Sequence, residues 1–275
     1  MGALGGIALL GLAPLGAGAS SDQTAAVTKT VSFAVNLRVE IPGHYAVSWK
    51  ADGQANFLHH AAQEFVTLPT IGLHANGILP GHKPVQMVAK WVGDKAYVTV
   101  PSSVSKMPGT PKSLSVPVGA ARAHEIDLAL DQSAVALTYT KVLLNDLADP
   151  KAQHAVDPRT IGGVRVTGTR VALTLADLLK VSPGLSPTMI GDLSMFGNES
   201  IPVTLWIDHE GRLVEATMGG DTKAHQASVS GVIEFSHYND AVTITAPAAQ
   251  SVAAMPASVS QLLSGLQLFD IIPLP

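Results

Sequence analysis

Cysteine is absent from the 275 residues. Disulfides, thiolate zinc sites, thiol catalysis and lipid attachment at a cysteine are thereby excluded, and packing alone has to stabilise the fold. Charge is scarce as well: 14% of residues are Asp, Glu, Lys or Arg, against about 25% in average proteins. No block of Lys and Arg occurs, net charge is −4 and pI about 6.2. Nucleic acid, which needs a clustered basic footprint, is therefore not an expected partner. Motifs that announce chemistry are missing: HExxH, GxSxG, a phosphate-binding loop, and GxGxxG at a strand–helix junction. No short repeat recurs.

What is present is apolar. Hydrophobic residues make up 47% of the chain and mean hydropathy is +0.29. Residues 1–19, MGALGGIALLGLAPLGAGA, hold no charge and end in the small-x-small pattern Ala17-Gly18-Ala19. They read as a secretory signal, too short and Gly-rich for a membrane-spanning helix of ~20 apolar residues. No Lys or Arg precedes the apolar run, as a start lying further upstream would explain. The mature chain is expected to begin near Ser20, exported to the cell envelope, the periplasmic space or the medium.

Beyond that segment the pattern is chiefly period two. Val31, Phe33, Val35, Leu37, Val39 and Ile41 alternate with Ser32, Ala34, Asn36, Arg38 and Glu40, so a strand with one core face is expected. Tyr45 to Lys50 is expected as a short strand closed by Asp52-Gly53. Ala55 to Leu68 has helical spacing, with Asn56 as N-cap. Val85–Trp91 and Lys95–Val100 flank the turn signal Val92-Gly93-Asp94. A helix is expected over Leu137–Leu147, and strands over Ala152–Asp157 and Val164–Leu173 around a turn at 158–163. Further short helices are expected over Thr174–Leu179 and near Thr188–Phe196. Strands follow at Ser228–Phe235 and Ala241–Ala246. After Pro256, the stripe Val259, Leu262, Leu263, Leu266 and Phe269 predicts a terminal amphipathic helix.

VTLWIDHEGRLVEATM, Val203 to Met218, reads as a β-hairpin around Asp208-His209-Glu210-Gly211. The Asp, His and Glu are expected to be dispensable turn residues rather than an active site. Trp206 shares a face with Thr204 and Asp208, while Leu205 and Ile207 point the other way. Both faces of this strand thus carry apolar bulk, and each needs a cover or a ligand. The ten histidines show no i, i+4 pair of the kind that binds zinc on a helix, and the carboxylates are scattered. Neither a metal nor another cofactor is expected. The count of elements suggests an α+β fold, a long antiparallel sheet with a few helices on one face. The apolar face is either a dry core or the wall of a cavity for acyl chains.

The order and texture of several segments resemble the actinobacterial LppX/LprG-type envelope lipoproteins, whose fold is related to the LolA lipoprotein carrier. The matching pieces are KTVSFAVNLRVEI (Lys29–Ile41), DGQANF (Asp52–Phe57), KWVGDKAYVTVPS (Lys90–Ser102), PGTPKSLSVPV (Pro108–Val118), His154–Leu179, Ile201–Met218 and Phe235–Val252. The resemblance implies a single curved antiparallel sheet, a half-barrel with helices packed on its concave face around an apolar cavity. It implies a non-enzymatic carrier or binder of acylated lipid or lipoglycan. Phe33, Val35, Leu37, Val39, Val98, Val100, Leu205 and Ile207 would line the cavity. Acyl chains are the expected ligand, with the membrane surface and envelope transport proteins as further partners. The domain would run over residues 20–252, followed by a C-terminal amphipathic helix or tail at 253–275. Two departures stand out: no cysteine follows the signal, so no lipid anchor is expected there, and Ser113-Leu114 stand where many relatives carry a Trp. Two other readings stay open: an envelope interaction or sensor module on the same fold with no bound lipid, and a hydrolase using scattered His and Asp/Glu.

Overall fold

The computed structural model describes residues 27–41, 45–68, 85–99, 113–117, 153–173, 200–222 and 227–254, together with Asp127, Leu130, Asp131, Ser133, Ala134, Leu137, Thr138 and Thr140. Its twelve strands are β1 (Thr30–Ile41), β2 (Tyr45–Asn56), β3 (Ala61–Leu68), β4 (Val85–Val92), β5 (Lys95–Thr99), β6 (Ser113–Pro117), β7 (His154–Ile161), β8 (Val164–Leu173), β9 (Ile201–Ile207), β10 (Leu213–Thr222), β11 (Ala227–Ser236) and β12 (Val252–Ala254). They form one open sheet in the order β12-β6-β5-β4-β3-β2-β1-β11-β10-β9-β8-β7. Two meanders, β1 to β6 and β7 to β11, are joined where β1 pairs antiparallel with β11. Every pairing is antiparallel except β12 with β6.

The alternation expected in β1 places Val31, Phe33 and Val35 in the core and leaves Ala34, Asn36 and Arg38 exposed. Their face carries the main apolar cluster. It draws Ala51 and Ala55 from β2, Met87 and Trp91 from β4, Ala96 and Val98 from β5, Val171, Leu205, Leu213 and Ala216 from β8 to β10, and Ile233 and Phe235 from β11. The helical residues Leu130, Ala134 and Leu137 pack into the same cluster. Thr138 anchors this stretch: its Oγ1 accepts from the Thr28 backbone N–H at 2.8 Å and donates to the Ala134 carbonyl at 2.7 Å. His60 Nε2 adds a contact of 2.9 Å to the Asp131 carboxylate.

Three expectations are corrected. The stretch Ala55–Leu68 is not a helix. Asn56 does cap, accepting from the His59 N–H, but it caps a single 3-10 turn, Phe57–His59. His60 then takes a left-handed conformation, φ 45°, and β3 begins. Strand β2 does not end at Asp52-Gly53. Gly53 lies inside it, opposite Phe33, where a Cβ would come within 2.5 Å of the Phe33 ring and 2.3 Å of the Gln63 carbonyl oxygen. The glycine makes room for an aromatic ring rather than a turn.

Ala241–Ala246 is extended but pairs with no strand. It belongs to a strap that leaves β11 and crosses the sheet to reach β6. Thr30 Oγ1 of β1 donates to the Asp240 carbonyl (2.7 Å), Asn56 Nδ2 at the end of β2 to the Val242 carbonyl (2.7 Å), and Lys90 Nζ of β4 to the Thr245 carbonyl (3.4 Å). The strap ends in β12, which straddles the expected boundary at 252–253 and pairs beside β6.

The hairpins β4–β5 and β9–β10 stand where the sequence put them. The β7–β8 turn is tighter than residues 158–163: only Gly162 and Gly163 lie between the strands, both at positive φ, as a type I′ turn demands. Helical residues at Leu137, Thr138 and Thr140 begin the expected 137–147 helix, and others lie upstream from Asp127. Residues 141–147, the helices expected near 174–179 and 188–196, the expected signal segment and the expected terminal helix lie outside the described residues.

Candidate functional site

Four of the residues expected to line a cavity, Phe33, Val35, Val98 and Leu205, meet in the main cluster. Ile207 is buried too but stands outside that cluster. Leu37 and Val39 keep the β1 register opposite Trp49 and Val47; their side chains, and Val100, lie outside the described residues.

Between β2 and β5 the same face is built low. Register aligns Ala55, Ala62, Trp91 and Ala96 in one row, and Phe33, Gly53, Glu64, Ala89 and Val98 in the next. Paired residues of adjacent strands share a face, so Glu64 stands on the apolar side among small neighbours. Burial first, and the charge of Asp52 second, push its carboxyl from 4.5 up to about 7. No hydrogen bond holds that carboxyl. Trp91, 3% exposed, likewise buries its indole Nε1–H without a partner. Sequence reasoning missed both residues. The β3 register, which alone puts Glu64 on this side, was hidden by the helical reading of Ala55–Leu68.

The opposite face has its own small cluster of Val166, Trp206 and Val214, with Val156 and Ile161 against it. A bulge between Leu213 and Glu215 turns Val214 and Glu215 to the same side. Gly168 leaves room for the Trp206 ring, which a Cβ there would approach to 2.7 Å. The Arg159 guanidinium stacks 3.9 Å from the ring centroid and pairs with the buried Glu215 carboxylate. Arg159 therefore supplies the cover that the apolar outer face of β9 requires.

At the β9–β10 turn, Asp208 is buried and built in. Its Oδ1 accepts from the N–H groups of Glu210 and Arg212, each at 2.9 Å, and its Oδ2 from Arg212 Nε at 2.8 Å. Arg212 lies over the Tyr238 ring, whose hydroxyl donates to the Leu213 carbonyl. Burial, then the Asp208 charge, drive the Tyr238 hydroxyl upward, and Arg212 opposes them. The expectation that Asp208 is a solvent-facing turn residue is corrected, whereas His209 and Glu210 are exposed as expected. Among the described residues no three His, Asp or Glu side chains gather as a metal site.

A single open antiparallel sheet with one broad apolar face defines the molecule. The solved structures it is similar to have names of the kind its sequence resembles. The lipoprotein LppX of Mycobacterium tuberculosis is 16% identical, with 79% of this chain and 90% of that one covered at a TM-score of 0.42. LprF of Mycobacterium bovis is 17% identical over 80% and 90%, TM-score 0.46. A LolA superfamily protein of Nitrosomonas europaea is 10% identical over 84% and 90%, TM-score 0.22. No family model matches the chain, and no curated protein does.

Proposed function

We propose that this chain is an exported, non-enzymatic carrier or binder of an acylated lipid or lipoglycan, whose chains lie against the apolar face with the sheet curved round them. One observation carries the reading: the face is continuous across both meanders, and between β2 and β5 it sets small Ala and Gly positions beside a buried Trp91 N–H that has no partner. A core meant only to stay dry rarely leaves such a donor unpaired. Each methylene of a ligand buried there contributes about 0.8 kcal/mol, so binding needs no catalytic group. Saturable binding of a fluorescent fatty acid, competed by a diacylated glycolipid, tests the reading; absence of saturable binding refutes it.

A second reading, an interaction or sensor module filled by its own side chains, draws on Phe33 lying over Gly53 and on Leu130, Ala134 and Leu137 packing into the cluster. It predicts that the fluorescent fatty acid finds no site.

A further inference from the structure

Glu64 and Trp91 are two polar groups on the β2-to-β5 part of the apolar face, and the register fixes their relation. Glu64 stands opposite Gly53 and Ala89, and Trp91 opposite Ala62 and Ala96. They are diagonal neighbours on one face of β3 and β4, about 7–8 Å apart at Cα, a span that long side chains bridge. Their four direct neighbours across the strands are Gly or Ala, so no bulky cross-strand partner stands beside either polar group. Both residues are more than nine-tenths buried. The Trp91 N–H has no hydrogen-bond partner and the Glu64 carboxyl makes no hydrogen bond. Buried polar groups nearly always have partners, and leaving one unpaired incurs its whole desolvation penalty. The Trp91 N–H is such a group, and the Glu64 carboxyl beside it has hydrogen-bonding capacity that no side chain among the described residues uses.

One atom that accepts from an indole N–H and also pairs with a carboxyl is a hydroxyl oxygen. We propose that Trp91 Nε1–H and the Glu64 carboxyl form a polar subsite, within the apolar face, for a glycerol or sugar hydroxyl next to the acyl chain of the ligand. The subsite rests on the lipid-binding reading and narrows it to hydroxyl-bearing amphiphiles. Near neutral pH the carboxyl exists in both protonation states, since its midpoint is raised to about 7. Either state serves: the carboxylate accepts from the hydroxyl and the acid donates to it.

The test compares 1-monooleoylglycerol with methyl oleate, which has the same chain and no hydroxyl, each displacing a fluorescent fatty acid. The wild type should prefer monooleoylglycerol. Glu64→Leu should erase that preference, weakening monooleoylglycerol by roughly three- to tenfold, the worth of one hydrogen bond, with methyl oleate unchanged. Trp91→Phe, which keeps a ring and loses the donor, should weaken monooleoylglycerol by a similar factor. Glu64→Gln, still able to pair with a hydroxyl, should keep most of the preference. Equal ratios of the two affinities in wild type and every variant would overturn the subsite and leave lipid binding standing. No saturable binding of either ligand by the wild type would remove both. Should Glu64→Leu lose methyl oleate as well, its fold is lost and Trp91→Phe decides.

Discussion

Glu64 links a single carboxyl to the pH dependence of the whole fold. Its ordinary value is 4.5 and burial raises it to about 7 in the folded chain. Between those values the folded chain keeps a proton that the unfolded chain gives up, so stability falls as pH rises from about 4.5 to 7. The loss approaches about 3 kcal/mol above pH 7. Glu64→Gln removes that term. Urea midpoints of the two proteins should be close near pH 4, part between about pH 4.5 and 7, and stay apart above pH 7, with the Gln variant the more stable. Parallel curves across the range would mean that the carboxyl is solvated. Asp208 shows the opposite use of a carboxylate. It is held by two backbone N–H groups and Arg212, with its side chain 1% exposed. Asp208→Ala strands a charged partner and two donors and should cost about 3 kcal/mol. His209→Ser, at an exposed position, should change the unfolding free energy by less than about 0.5 kcal/mol, read from urea titration.

Single elements show where the sequence was legible. β1 could be read because one face is core and the other solvent, so Val31, Phe33 and Val35 alternate with polar or small residues. The β9–β10 hairpin was read from its apolar runs and its Gly211 turn, although both of its faces are buried. β3 could not be read: Glu64 occupies a core-side position and Phe65 an exposed one, so the apolar residues fell on a helical stripe by composition. Asn56 reinforced the error, because its cap is real but serves a single turn. The strap failed differently. Val242 is buried and Thr243 exposed, a strand-like alternation, yet the segment crosses the strands instead of running beside one. Its carbonyls accept from side chains, and no period encodes that. Asn56 is the buried tie, donating to Val242 and accepting from His59. Asn56→Ala should destabilise by about 2 kcal/mol. Amide hydrogens over 240–246 should exchange faster than in the wild type, while those of β9 to β11 hold their rates. Unchanged exchange in the strap would show that its side-chain ties do not fasten it.

At the scale of the molecule, the resemblance anticipated one large antiparallel sheet with an apolar face, and Phe33, Val35, Val98 and Leu205 do meet there. Composition had pointed the same way, since a chain poor in charge needs much apolar surface covered. The polar pair on that face was not foreseeable, because it depends on the pairing of β2, β3 and β4, which lies beyond local pattern. The reading stands or falls on whether the apolar face holds acyl chains. Native mass spectrometry of the chain from Ser20 onward, expressed with export to an envelope and purified without detergent, tests this most directly. The expected spectrum contains a population heavier than the polypeptide by one acylated, hydroxyl-bearing species, which organic extraction removes with a fall in melting temperature. A spectrum showing the polypeptide mass alone, with the same melting temperature before and after extraction, would contradict it.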